Sequence, residues 1–179
     1  TYFQLFSKQS KKKLRKLLAS FDDQGVEIRI NHLPDFDLMI KMNVDRYGEN
    51  SYYYDRRFIQ SFKNMLRYFI DNNHLRLVTV LVGGIPAAVD FGSVYNGVYT
   101  LLAGGVDARF PGIAKYINLF HMRWSCEEKL QEVDFLCGEF SWKPMFHLFS
   151  RPLYKISDEL AEKVENIVAP ALIENAAVL

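Results

Sequence analysis

Apolar residues recur at two spacings along this chain, and the change between them marks the elements. From Ser7 to Phe21, Leu14, Leu17, Leu18 and Phe21 share one face of a helix, with Lys12, Lys13 and Lys16 largely off it. Gly25 stops that helix. Val26 to Ile30 alternates as a short strand with one buried face. Leu33 to Tyr47 predicts a helix that starts through Pro34 and Asp35, followed by a loop at Gly48 to Ser51. Asp55 to Asn72 carries a stripe of Phe58, Ile59, Phe62, Leu66, Phe69 and Ile70, a second long helix.

The period then shortens to that of strands. Leu75–Val82, Ala87–Val94 and Val98–Ala103 form a meander turned by Gly83-Gly84 and Asn96-Gly97, both hairpin signals. Gly112 to Leu130 is helical, with Ile113, Ile117, Phe120 and Trp124 on one face, and Val133–Cys137 is a short apolar strand. Leu153–Ile156 predicts a last strand, and Ser157 caps a final helix carrying Leu160, Val164 and Ile167. A meander feeding one strand–helix–strand unit implies an α/β (α+β) fold: a mixed, mostly antiparallel sheet with helices on both faces. It is expected to fill one domain over residues 1–179, with a core from Ser7 to Ile156 and a C-terminal helix over 157–179.

Composition narrows the function classes. With 49% hydrophobic and 24% charged residues, the chain is an ordinary globular sequence, and its Phe 14 and Tyr 10 can line a pocket as well as a core. The net charge of +1 names no partner. Locally, Lys8, Lys11, Lys12, Lys13, Arg15 and Lys16 form a basic run, read as a solvated helix face or as a contact for phosphate. Cys126 and Cys137 give no disulfide framework, so a reducing cytoplasm is the expected location. His32, His74, His121 and His147 show no metal-ligand spacing, so no metal is expected. No apolar run approaches a membrane span. Because the sequence begins at Thr1, it is expected to be the C-terminal part of a longer protein.

The stretch Val98 to Ala114 carries the most chemistry. A strand runs into Gly104-Gly105, and Arg109-Phe110-Pro111-Gly112-Ile113-Ala114 then opens a helix. A helix N-terminus leaves backbone N–H groups unpaired and carries partial positive charge, which makes an anion site. Gly112 admits close approach of a phosphate, Pro111 removes one N–H, Ala114 keeps the second turn slim, and Arg109 can add a charged contact.

Arg109-x-x-Gly112-x-Ala114 resembles the acyl-CoA loop, (Gln or Arg)-x-x-Gly-x-(Gly or Ala), of GNAT acyltransferases. More narrowly, Lys8 to Ile30, the Pro111-Gly112 turn, Val133-Asp134-Phe135 and the Trp142-Lys143 pair resemble the GNAT-like half of Fem-type and BioF2-like acyltransferases. The resemblance implies acetyl-CoA or another acyl-CoA as cosubstrate, held by Leu102, Ala103, Gly104, Arg109, Phe110, Pro111, Gly112, Ile113, Ala114 and Lys115. It also implies splaying of the strands Val98–Ala103 and Val133–Cys137, which frees N–H groups for the pantetheine arm and the thioester carbonyl.

Acyl transfer to an amine needs a base. Glu139, just past the strand Val133–Cys137, is the first candidate, and Asp90, a carboxylate within an apolar strand, is the second. The region after that strand holds Phe140, Trp142 and Phe146 but no Tyr. The acid for the leaving thiolate is thus unassigned among Tyr95, Tyr99 and Tyr116. Cys137 reads as a buried structural thiol. Tyr53, Trp142 and Lys143 are the expected substrate contacts, with Tyr52 to Arg57 near the acceptor side. The resulting expectation is an N-acyltransferase acting on a small amine. A Fem-type enzyme using aminoacyl-tRNA and a non-catalytic GNAT-like binding module are the alternatives.

Overall fold

The computed structural model describes residues 2–138, 140, 142–152 and 154. Five strands lie in sequence order across one sheet: β1 (Val26–Ile30), β2 (Leu75–Val82), β3 (Ile85–Tyr95), β4 (Val98–Val106) and β5 (Glu132–Asp134). The first four pair antiparallel, and β5 joins β4 in parallel. The long helices are α1 (Lys8–Asp22), α2 (Asp35–Tyr47), α3 (Arg56–Asp71) and α4 (Ile113–Glu127).

Local chemistry accounts for most boundaries. The side chain of Ser7 accepts from the amide of Ser10 at the start of α1, and that of Asp55 accepts from the amide of Arg57 at the start of α3. Both hairpin turns place two residues in the left-handed region: Gly83 and Gly84 at φ 57° and 77°, Asn96 and Gly97 at φ 47° and 76°. That is the turn whose twist suits a two-residue hairpin.

β2 and β3 deliver apolar side chains to both faces, which is why Arg76–Val82 and Ala87–Gly92 are buried. On one face Val78, Val80 and Ala88 pack with Phe21 of α1 and with Ile113 and Ile117 of α4. On the other, Leu77, Val89 and Phe91 pack with Phe36 and Met39 of α2 and with Phe58, Phe62 and Phe69 of α3. Helices therefore cover both faces, as the alternation of elements implied. α2 lies close against β4: a Cβ on Gly105 would stand 2.5 Å from the carbonyl oxygen of Met39.

A buried carboxylate ties α2 to the sheet. Asp35, at the first turn of α2, accepts two bonds from Arg29 of β1 at 2.8 and 2.7 Å and another from the Thr79 hydroxyl of β2, and His32 Nδ1 lies 3.1 Å away. Burial alone would raise its pKa, but the hydrogen bonds from Arg29, Thr79 and His32 outweigh that and hold it below the usual value.

The expected strand Val133–Cys137 is shorter and shifted, ending at Asp134. Phe135 turns inward against Phe6, Leu119, Met122 and Phe146, and Leu136 takes a φ of 56°, which breaks the ladder. Cys137 is consequently exposed rather than buried, as is Cys126. The expected strand Leu153–Ile156 (Tyr154 apart) and the helix from Ser157 lie outside the described residues.

Asp35→Ala should lower the unfolding free energy by about 2–3 kcal/mol at neutral pH, since it strands a partly buried guanidinium. A carboxylate with a lowered folded-state pKa stabilises above its unfolded pKa of about 4 and ceases to do so as pH falls through the folded value. Urea unfolding at pH 7 and pH 3 should thus show a smaller gap between wild type and variant at the lower pH; an unchanged gap contradicts the assignment.

Candidate active site

The site begins where β5 leaves β4. Their parallel pairing runs only from Val98↔Glu132 to Thr100↔Asp134, while β4 continues to Val106. Beyond Thr100 the outer edge of β4 therefore has no strand partner among the described residues. On the inner edge the register shifts, with Phe91 opposite Ala103 and Gly92 opposite Leu101, so Leu102 is the extra residue of a bulge. A bulge beside an unpaired edge turns the backbone out of ladder geometry and leaves polar groups available to a ligand. Part of that edge is closed by α2, because Asn43 Nδ2 donates to the carbonyl oxygen of Gly104 at 3.2 Å.

The loop after β4 enters α4 through a turn over Phe110–Ile113, closed by a 3.1 Å bond from the Ile113 amide to the Phe110 carbonyl. Pro111 occupies its second position, and Gly112 its third at φ 91° and ψ −4°, the type II arrangement that favours glycine. The amides of Lys115 and Tyr116 bond to the carbonyl of Gly112. Those of Gly112 and Ala114 have no backbone partner among the described residues, so this helix start keeps donors open beside its positive pole. A Cβ on Gly112 would lie 2.8 Å from Leu17 Cδ1, because α1 packs against the turn.

Between the free edge and α4 lies a cleft of about 160 Å³, lined by Gly104, Gly105 and Val106 of β4, Ala114, Ile117 and Asn118 of α4, Asn43, Arg46 and Tyr47 of α2, Trp142 and Asp90. Asp90 is 4% exposed. Its Oδ1 faces Gly104, where a Cβ would come within 2.4 Å. Its Oδ2 lies 3.0 Å from Nε2 of His121, which is fully buried on α4. The Tyr99 hydroxyl is 3.3 Å from the same nitrogen. Burial, reinforced by the Asp90 charge, raises the Tyr99 phenol well above its ordinary pKa, so it stays protonated. Behind Tyr99, Arg76 lays its guanidinium 3.1 Å from the centre of the Trp124 ring, and burial pushes its pKa down to about 10.

The expected residues divide among several places. Asp90, Gly104, Ala114 and Trp142 meet at the cleft. Leu102 and Ala103 belong to the bulged strand. Pro111 and Gly112 form the turn, Ile113 and Phe110 pack in the core between α1 and the sheet, and Lys115 is half-buried on the first turn of α4. Arg109 is committed elsewhere: its guanidinium forms a two-pronged, exposed ion pair with Asp107, which raises the pKa of the former and lowers that of the latter. Tyr53 is a core ring, buried edge-on against Phe58 and Phe62, and it does not line the cleft. Lys143 donates to the carbonyls of Leu136 and Cys137 at 2.8 and 3.3 Å, so it braces the loop after β5. Of the phenols, Tyr116 is buried and donates to Asp22, and Tyr95 is exposed. Glu139 lies outside the described residues. The spacing of the histidines assigns His121 no role, although it sits one turn from Ile117 and from Trp124, a polar residue on the apolar stripe of α4.

A mixed five-stranded sheet, a bulged and splayed β4 and an open helix start after it define a GNAT-like fold. The chain belongs to the acetyltransferase (GNAT) domain family, whose model matches residues 7–144. Solved structures share the fold. A possible acetyltransferase from Clostridium difficile 630 is 14% identical, with 75% of this chain covering 97% of that one at a TM-score of 0.56. An aminoglycoside acetyltransferase from an uncultured soil metagenomic sample, solved with sisomicin, is 13% identical, with coverages of 75% and 99% and a TM-score of 0.51. A GNAT family acetyltransferase from Brucella melitensis, solved with acetyl-CoA, is 12% identical, with coverages of 71% and 84% and a TM-score of 0.51. At these identities the likeness is one of fold. No curated protein matches the sequence.

The left-handed turn gives a direct test. Gly112→Ala should cost about 1–2 kcal/mol from the positive φ alone. Leu17 Cδ1 is the free end of a side chain that can rotate aside, so its contact with the new methyl adds little. A double-mutant cycle with Leu17→Ala in urea should therefore be additive to about 0.5 kcal/mol; a large coupling would assign the cost to Leu17 instead.

Proposed function

We propose that this chain binds an acyl-CoA along the free edge of β4 and transfers the acyl group, acetyl by preference, to a primary amine. The observation that carries the reading is the meeting, in one cleft, of an unpaired bulged strand edge, an open helix start and a buried carboxylate. The residues present suit the cosubstrate. Gly104, Gly105 and Val106 line the cleft along which a slender chain can lie beside β4, and the amides of Gly112 and Ala114 suit a diphosphate. Acyl-CoA supplies an activated thioester carbonyl.

The chain's own groups then have distinct tasks. Backbone N–H groups of β4 beyond Thr100 offer hydrogen bonds to an oxygen gaining negative charge. Oδ1 of Asp90, next to Gly104, accepts a proton from the attacking amine as the C–N bond forms; the C–S bond breaks and CoA leaves as the thiolate, which takes a proton from solvent. Trp142, packed edge-on against Phe135 and Phe146, walls the cleft. Glu139 stays a second candidate for the base. The Fem-type alternative draws on α1, where Lys8, Lys12, Lys13, Arg15 and Lys16 are all exposed. Salt-sensitive tRNA binding that is lost on changing Lys11, Lys12 and Lys13 to Gln would favour it.

The test separates binding from folding. An acidic residue in the first turn of a helix suits its dipole, so Ala114→Glu should leave thermal stability nearly unchanged, yet it sets a negative charge where the diphosphate would lie. Calorimetry should show acetyl-CoA binding to the wild type and a loss of at least ~10-fold in the variant, about 1.4 kcal/mol. Equal affinity in the two overturns the proposed site. Transfer to glycinamide, putrescine and kanamycin should be followed by mass spectrometry of the product, because exposed Cys126 and Cys137 would consume thiol reagents.

A further inference from the structure

The buried group behind the cleft has one nitrogen for two partners. His121 Nε2 stands 3.0 Å from Asp90 Oδ2 and 3.3 Å from the Tyr99 hydroxyl oxygen, while its Nδ1 is buried and has no hydrogen-bond partner among the described residues. All three side chains are nearly or fully sealed, with Asp90 at 4%, Tyr99 at 0% and His121 at 0% exposure.

These facts select one protonation state. A doubly protonated imidazole would hold Nδ1–H as a buried donor with nothing to accept it, which is costly. A neutral ring with its proton on Nδ1 has the same fault. It would also leave a bare Nε2 lone pair facing the Asp90 carboxylate, lone pair against lone pair. Only the neutral ring protonated at Nε2 satisfies the geometry: the N–H is shared between Asp90 Oδ2, the nearer acceptor, and the Tyr99 oxygen. Nδ1 is then a weak acceptor left empty, and the Tyr99 O–H has no acceptor among the described residues, neutral faults that cost less than an unpaired charged N–H or a lone pair held against a buried carboxylate.

We infer that His121, held as the Nε2–H tautomer, is the positioning residue of the acyl-transfer site: it pins Oδ2 of Asp90 so that Oδ1 faces the cleft beside Gly104. The inference rests on the reading of Asp90 as base. The two oxygens of the carboxylate are thus given different tasks, one anchored by α4 and one presented to the amine. Tyr99 steadies the arrangement from behind, since its ring lies 4.8 Å from that of His121 and 5.7 Å from that of Trp124. The lack of a Cβ at Gly104 has the same logic, because a methyl there would displace Oδ1.

The decisive measurement is the long-range 1H–15N NMR correlation pattern of the His121 ring in the uniformly labelled chain at pH 7.5. A protonated Nε2 with a bare Nδ1 is expected, and Asp90→Asn should change that pattern. A ring protonated at Nδ1, or at both nitrogens, overturns the inference whatever the enzyme does. In parallel, His121→Leu should slow acetyl transfer to whichever of glycinamide, putrescine or kanamycin the wild type accepts by ~100-fold, with acetyl-CoA affinity unchanged. His121→Gln, which can place an N–H near the same point, should recover most of the rate. Equal rates in Leu and Gln variants would also overturn the positioning role. A wild type that acetylates none of the three amines counts against the proposed transferase instead, and the ring nitrogens still decide the state of His121.

Discussion

β4 and β5 hydrogen-bond over only three register pairs, and most of what distinguishes this molecule follows from that short contact. A strand in the middle of a sheet satisfies both its edges, and β4 does so only up to Thr100. From there to Val106 its outer edge must find other partners, because unpaired backbone groups shut away from water are expensive. Asn43 supplies one from α2. Gly104, Gly105 and Val106 line a cleft, bounded on the far side by the start of α4 and by Trp142. The helix start and the strand edge open onto the same space because a short loop joins β4 to α4, so an elongated ligand with an anionic group can engage both.

The sheet's two faces divide the remaining work. On the side of α2 and α3 the contacts are almost wholly apolar, and Asp35 with Arg29 and Thr79 fixes where α2 crosses. On the side of α1 and α4 the core becomes polar along one line: Asp90, His121, Tyr99 and Arg76. Burying such groups is tolerable because nearly all of them meet a partner or an aromatic face. The polar line starts at the cleft and runs inward, which sets the local charge at the mouth of Asp90 and excludes water behind it.

Much of this was legible in the sequence, and the parts that were not have identifiable causes. Glycine and asparagine at the two hairpins, alternation in β1 and β2, and the stripe of α3 are local signals, so β1 and β2 were placed to the residue. The strand after α4 is shorter than its apolar run, because the run from Val133 to Cys137 does not reveal that Phe135 leaves the ladder for a separate cluster. Arg109 matched an anion-binding pattern, but Asp107, two residues earlier, competes for the same guanidinium. Tyr53 looked like a pocket residue because aromatic clusters serve cores and pockets equally. Asp90 was suspected from its apolar setting, yet its partner lies 31 residues away on another element, a pairing that only the packing of α4 on β3 creates.

The central claim is that the free edge of β4 and the first turn of α4 together hold an acyl-CoA. Amide hydrogen–deuterium exchange with and without acetyl-CoA addresses it segment by segment. Protection should appear in the peptides covering Leu101 to Gly105 and Gly112 to Lys115, while those of β1 and α3 stay unchanged. Protection confined to other elements, or none at saturating acetyl-CoA, would contradict the account.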